Sequence, residues 1–383
     1  MKPIYLDYNA TTPLDPEVAD MMRPYLEGHF GNPSSAHLHG LTAKKAVEHA
    51  RGQVAALLNC LPEEIIFTSG GTEANNFAIK GTAFNKRDRG RHLITSAIEH
   101  PAVTEVCKYL EGHGFHTSYI PVDETGLIDC NKIEAAITPE TILITVMHAN
   151  NEVGTIQPVE EIGRIARQRH IVFHTDAAQS VGKIQTDVND LGADLLSVAG
   201  HKLYAPKGIG ALFIREGVEL EKFMHGAGHE RNMRAGTENV LEIVGLGKAC
   251  EIAQRDLERN MAHMTTLRDL LYEGLRQQVA DVRVNGHPVK RLPNTLSIGF
   301  RNMEASSLLN ELIIADISAS AGSACHAGHA TISHVLAAMH VPLDYAMGTL
   351  RLSVGKMTAH TEIEKAIEVI SKTVCDARQG GKA

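Results

Sequence analysis

Between residues 64 and 214 the chain alternates short apolar runs with helical patterns, and few folds accommodate that rhythm. EIIFT (64–68), HLITS (92–96), HTSYIPV (116–122), TILITVMH (141–148), IVFHT (171–175), DLLSVA (194–199) and GALFI (210–214) are rich in Ile, Val, Leu and Thr. Between several of them lie stretches such as VEEIGRIARQRH (159–170), where Val159, Ile162, Ile165 and Ala166 fall on one helix face. The alternation predicts an α/β fold: a mostly parallel, seven-stranded sheet covered by helices on both sides.

After a long helical stretch at 239–279 the pattern changes. VRVNG, NTLSIGF and LRLSVG read as strands of a smaller α+β unit, with helices near 305–314 and 360–378. A chain of 383 residues is also longer than one hydrophobic core usually serves. We expect a large domain over 15–262 and a small C-terminal domain over 263–383, with 1–14 packing on the latter.

The net charge of -8, with no stretch of clustered Lys and Arg, argues against a nucleic-acid surface. No segment approaches the roughly 20 apolar residues of a membrane span, and MKPIYLDYNATTPLDP carries charges and turn residues where a signal peptide needs an apolar core. Six cysteines, at 60, 107, 130, 250, 325 and 375, show neither CxxC pairs nor zinc-ligand spacing. A cytoplasmic protein with reduced thiols, working on small molecules, is the expectation.

Three segments carry candidate chemistry. FTSGGTEANN (67–76) runs from a strand through Gly70 and Gly71 to Thr72 and a helix start, which suits a phosphate, although a glycine turn with Thr72 as a plain N-cap reads equally well. VFHTDAAQSVG (172–182) ends a strand in Asp176, an address for a salt-bridged structural acid or for a partner to a protonated ring nitrogen. SVAGHKLYAPKGIG (197–210) places Lys202 at a strand end, where a lone lysine is ordinarily a surface residue. Taken together they match the needs of pyridoxal 5'-phosphate: a phosphate cradle, an acid on the pyridine nitrogen and a Schiff-base lysine.

DYNATTP (7–13), GNPSSAH (31–37), FTSGGTEANN, EHPAV (99–103), HANNEVG (148–154), HTDAAQS, GHKLYAPKGIG, RAGTEN (234–239), SAGSAC (320–325) and LRLSVG together resemble cysteine desulfurases of the NifS/IscS type. Those are fold-type I, class V pyridoxal-phosphate enzymes, and the resemblance covers nearly the whole chain. It implies that Lys202 is the Schiff-base lysine and that His201, Gly71 and Thr72 bind the phosphate. His100 would stack on the cofactor ring and handle protons. Asp176 would hold the pyridine nitrogen and Gln179 the phenolic oxygen. Asn151 would lie near that oxygen and the substrate carboxylate, and Arg351 would grip the carboxylate bidentately. Thr237 would reach the phosphate of a neighbouring subunit, which implies a homodimer.

Desulfuration needs a thiolate. Cys325 lies in SASAGSACHAGHA, a stretch of small residues with no apolar wall to bury it, and it matches the family's catalytic cysteine. Cys60, Cys107, Cys250 and Cys375 sit in helical patterns and suit inert core thiols, while Cys130 beside a turn is uninformative. The implied activity converts L-cysteine to L-alanine and leaves a persulfide on Cys325 for an acceptor such as an iron–sulfur scaffold, with a transient cluster-ligand role for Cys325 left open. Two details depart from the common pattern: Ala199 replaces a serine, and His326 and His329 follow the cysteine. Cys325, His326 and His329 are too cramped for three metal ligands, and histidines tuning the thiol are the better reading, with no resident metal expected. Selenocysteine lyase is the main alternative; an aminotransferase or β-lyase on the same cofactor and a non-catalytic scaffold are more distant ones.

Overall fold

The computed structural model describes residues 3–321, 323–326 and 329–380, the side chains of 322–331, 379 and 380 excepted. The seven apolar runs form one sheet: β1 (Ile65–Thr68), β2 (His92–Ser96), β3 (His116–Ile120), β4 (Thr141–Thr145), β5 (Val172–Asp176), β6 (Leu195–Ala199) and β7 (Gly210–Ile214). Their order is β1-β7-β6-β5-β4-β2-β3. β7 alone runs against its neighbours, antiparallel to β1 and β6, and the other pairs are parallel. The expected seven-stranded, mostly parallel sheet is therefore present.

Consecutive strand residues point to opposite faces, and here each face has its own core. Ile66, Leu93, Leu143, Val172, Leu195 and Leu212 pack on one side, and their neighbours Phe67, Ile94, Ile144, Phe173, Leu196 and Phe213 on the other. All twelve are buried, and each full burial of such a side chain contributes about 1.5–3 kcal/mol. The exception is β3, HTSYI, whose polar residues suit an edge position. Helix α1 (Gly71–Asn85) and helix α2 (Pro101–Glu111) cover the first face through Phe77, Ala78, Val103 and Val106. The helix Val159–Gln168 buries Val159, Ile162, Ile165 and Ala166 against the second, as its periodicity predicts.

A second core lies around a four-stranded antiparallel sheet in the order Ser320–Ala321, Thr349–Ser353, Thr295–Phe300, Val282–Asn285. Helix α3 (Val240–Gln278) joins the two cores. Its first turns bury Ile243, Leu246, Cys250 and Ile252 in the large core, and its later turns bury Met264, Leu267, Leu271 and Leu275 in the small one. Ile4 and Leu6 also lie in the small core, because Ile4–Tyr5 pairs in parallel with Ile317–Ser318. Val335, Leu336 and Met339, although late in the chain, pack into the large core. Their helix is pinned there by Ser333 donating to Glu152 and by His334 on the Glu99 carbonyl. No helix among the described residues is long and apolar enough to cross a membrane.

Candidate active site

β1, β2, β4, β5 and β6 all open at their carboxyl ends onto one cavity of about 440 Å³. The segments following those strands supply Gly71 and Thr72, His100, Met147, Gln179, and His201 with Lys202 to its wall. Asp176, the last residue of β5, also lines it. Asn9 and Ala10 from the N-terminal segment and Arg351 from the small sheet close the other side. Parallel strands bring their carboxyl ends together at one edge of the sheet, which is why residues 71 to 202 meet here.

The glycine loop is shaped for an anion. Gly70 has φ 150 and ψ -179, a conformation essentially open only to glycine. A side chain at Gly71 would press on the Ala199 Cβ at 3.1 Å. No side chain caps α1 at Gly70, so its first-turn N–H groups, at the positive end of the helix dipole, have no side-chain acceptor. Between the two sequence readings, cradle and plain N-cap, the geometry favours the cradle: Thr72 faces the cavity and does not cap the helix.

Lys202 follows β6 in a short turn, Gly200–Lys202. Its ammonium donates to the carbonyl oxygens of Asn9 at 2.5 Å and Ala10 at 2.7 Å. Burial pushes its pKa down to about 8, Arg351 adds to the shift, and Asp7 and Asp176 oppose it. A neutral amine is therefore accessible near physiological pH. Asp176 accepts from Asn75 Nδ2 at 2.7 Å on one oxygen and from the Ala178 N–H at 2.9 Å on the other. Those bonds aim the carboxyl into the cavity. His174, two residues earlier on β5, bonds Thr145 and Ser197 within the sheet. Burial lowers its pKa to about 3, so it is a neutral structural histidine.

His100 caps α2, its Nδ1 accepting from the Ala102 N–H at 3.1 Å. That bond leaves the proton on Nε2, and desolvation lowers the pKa of the ring while Asp176 works against it. His201 is pushed down to about 4, first by burial and then by Lys202. Gln179 donates to the Asn9 carbonyl at 2.9 Å. Arg351 pairs with Asp7 at 2.9 Å and donates to the Asn151 carbonyl at 3.3 Å. Its Nε is buried and has no partner among the described residues.

The structure gathers Gly71, Thr72, His100, Asn151, Asp176, Gln179, His201, Lys202 and Arg351 around one cavity. Thr237 is exposed and lies outside that wall. Cys325 sits in a hairpin, paired in register with Ala330, and His326 pairs with His329; the side chains of all three lie outside the described residues. Of the other thiols, Cys107, Cys130 and Cys250 are buried, Cys60 and Cys375 partly so. Burial pushes Cys60, Cys107 and Cys130 up to about 12, which suppresses the thiolate. Cys60 lies just past the helix Leu38–Leu58, not inside it. Sequence reasoning gave no roles to Asp7, Asn9, Ala10 or Asn75. The DYNATTP motif was the available signal for the first three.

The pattern of a class-V aminotransferase matches residues 4–366. The chain belongs to that family, among the cysteine desulfurases of the NifS/IscS type. It is 48% identical to the cysteine desulfurase IscS of Methanosarcina thermophila over 373 residues, 97% of this chain and 92% of the relative. Among solved structures it resembles a NifS-like protein with a TM-score of 0.92 at 38% identity, covering 97% of this chain and 99% of that one. SspA in complex with cysteine superposes with a TM-score of 0.82 at 38% identity, covering 93% and 100% of the two chains.

The residues present suit pyridoxal phosphate. The cavity offers a side-chain-free helix start beside a Gly-only turn, a carboxyl fixed by two donors, and a lysine amine of depressed pKa. Those are the donor set for a phosphate, a ring nitrogen and an aldehyde carbon.

Proposed function

We propose that the chain is a pyridoxal-phosphate-dependent cysteine desulfurase, converting L-cysteine to L-alanine and passing the sulfur on through Cys325. The observation that carries this reading is Lys202: a half-buried amine held by two backbone carbonyls, facing the same cavity as Asp176, Gly71, Thr72 and Arg351. The named relatives favour cysteine desulfuration over the selenocysteine lyase alternative.

Gly71, Thr72 and His201 would hold the phosphate, Asp176 the ring nitrogen and Gln179 the phenolic oxygen, with His100 against the ring. When bound, the cofactor supplies an electron sink at the substrate's Cα. Arg351 and Asn151, which both line the cavity, take the substrate carboxylate. Lys202, neutral above about pH 8, accepts the Cα proton. The Cys325 thiolate attacks the substrate sulfur: an S–S bond forms, the C–S bond breaks, and its electron pair stays with the carbon. A proton on that carbon completes alanine, and the persulfide sulfur goes to a thiol acceptor such as an iron–sulfur scaffold protein.

A second copy of the chain completes the site. Thr237 lies outside this chain's own cavity, as a contribution to a neighbour's phosphate requires. Phe30 and Leu38, 81% and 76% exposed, offer apolar surface for such a contact. Alanine release from L-cysteine under a thiol reductant tests the reading, with wild type and Cys325→Ser compared at saturating cofactor. Alanine from the wild type alone supports it. Equal activity in both would remove Cys325 as the nucleophile and leave a β-lyase.

A further inference from the structure

Behind the Gln179 wall of the cavity lies a lysine with no role in the scheme above. Lys183 is 4% exposed, and its ammonium donates to Gln179 Oε1 at 2.8 Å. The charges facing it are Lys202 and Arg351, both positive; Lys202 in turn faces Arg351, Asp7 and Asp176, and His201 also feels Lys183. Burial, with those two cations, pushes Lys183 down to about 7. An ammonium in this position is costly to desolvate. A methionine would fill similar space without that cost.

What the ammonium does is settle an amide. The two ends of a glutamine amide are nearly alike in shape, and only hydrogen-bond partners decide which end points where. The Lys183 ammonium, having donors and no acceptor, pairs only with the oxygen end. Gln179 Nε2 then donates to the Asn9 carbonyl at 2.9 Å, the same oxygen that receives Lys202. Its second N–H is left for the cavity that Gln179 lines.

We propose that Lys183 is a positioning residue of this site: it fixes the Gln179 amide so that an N–H faces the bound cofactor, and it places a positive charge behind that amide. The proposal rests on the pyridoxal-phosphate reading above. Lys183 touches neither cofactor nor substrate and acts through Gln179 and through its field on Lys202.

The test is a pH titration of the bound cofactor's visible absorbance in wild type, Lys183→Met and Lys183→Arg holoenzymes. Removing a group that is charged over the lower part of the titration raises the midpoint by about half a pH unit in Lys183→Met. Lys183→Arg, which keeps the donors and carries a permanent charge, leaves the midpoint in place or shifts it the other way. A Lys183→Met midpoint within about 0.2 units of wild type overturns the proposal, as does an equal shift in both variants, which would mark a packing effect. Should Lys183→Met fail to fold, Lys183→Gln is titrated in its place under the same criterion. Wild-type protein that binds no pyridoxal phosphate defeats the underlying reading instead, so the two failures are distinguishable.

Discussion

Glu230→Ala should cost the protein several kcal/mol, although Glu230 lies outside the cavity. Its carboxylate accepts from Arg51 Nη1 at 2.8 Å and Nη2 at 2.9 Å, and from the Phe67 N–H at 2.8 Å. The paired side chains are only 4% and 3% exposed, so water cannot replace a missing partner. Removing one member of such a pair costs about 3–5 kcal/mol, because the other charge stays buried. One term offsets part of this. Arg51 Nε still pairs with Glu48 at 3.2 Å, which returns about 1 kcal/mol. The net loss is about 2–4 kcal/mol, read as a fall of about 1 M in urea midpoint for a slope of about 3 kcal/mol per M. Both proteins are unfolded at one protein and one cofactor concentration, since ligand and subunit binding shift apparent stability. Arg51→Met with Glu230→Leu should recover only part of the loss, since it removes the unpaired charge but leaves the Phe67 N–H without its acceptor. A single-variant loss under about 1 kcal/mol, or a double variant as unstable as the single, would refute this reasoning. The same segment carries Arg234, paired at 2.8 Å with Glu73 in the first turn of α1, so Glu230→Ala should also weaken cofactor retention.

Two further outcomes follow from titrations. Cofactor uptake by stripped protein needs the neutral Lys202 amine, so its rate should rise with pH and level off above about 8; a flat profile between about pH 6.5 and 9 contradicts the assignment. Glu99 is fully buried, accepts from Ser96 at 2.5 Å and from the Met147 N–H at 3.0 Å, and is pushed up to about 8 by burial. The folded state therefore holds a proton that the unfolded chain releases near 4.5, so this group's stability contribution falls as pH rises from there to about 8 and is constant beyond. Glu99→Gln should remove that slope, about 1.4 kcal/mol per pH unit at most. Urea midpoints of variant and wild type at about pH 5.5 and 7.5 measure it, and parallel changes in both proteins would sink the claim.

The division between what sequence and packing settled runs residue by residue. Hydrophobic periodicity is a local property, so all seven strands of the large sheet and the buried face of Val159–Gln168 are legible without a fold. Chemistry at strand ends is legible for the same reason: parallel strands send Gly71, Asp176 and Lys202 to one edge wherever the helices happen to lie. Partners are another matter. That Lys202 rests on the carbonyls of Asn9 and Ala10, that Asp7 occupies part of Arg351, and that Lys183 is buried behind Gln179 all depend on contacts across long stretches of chain. No local pattern encodes them, because a carbonyl oxygen belongs to every residue and a lysine in VGK reads as surface. Burial decides whether a charge is solvated or must be answered by a neighbour, and burial is fixed only when both cores close around the N-terminal segment. The sequence determined which atoms the reaction needs, and the tertiary structure determined what holds each of them and at what pKa.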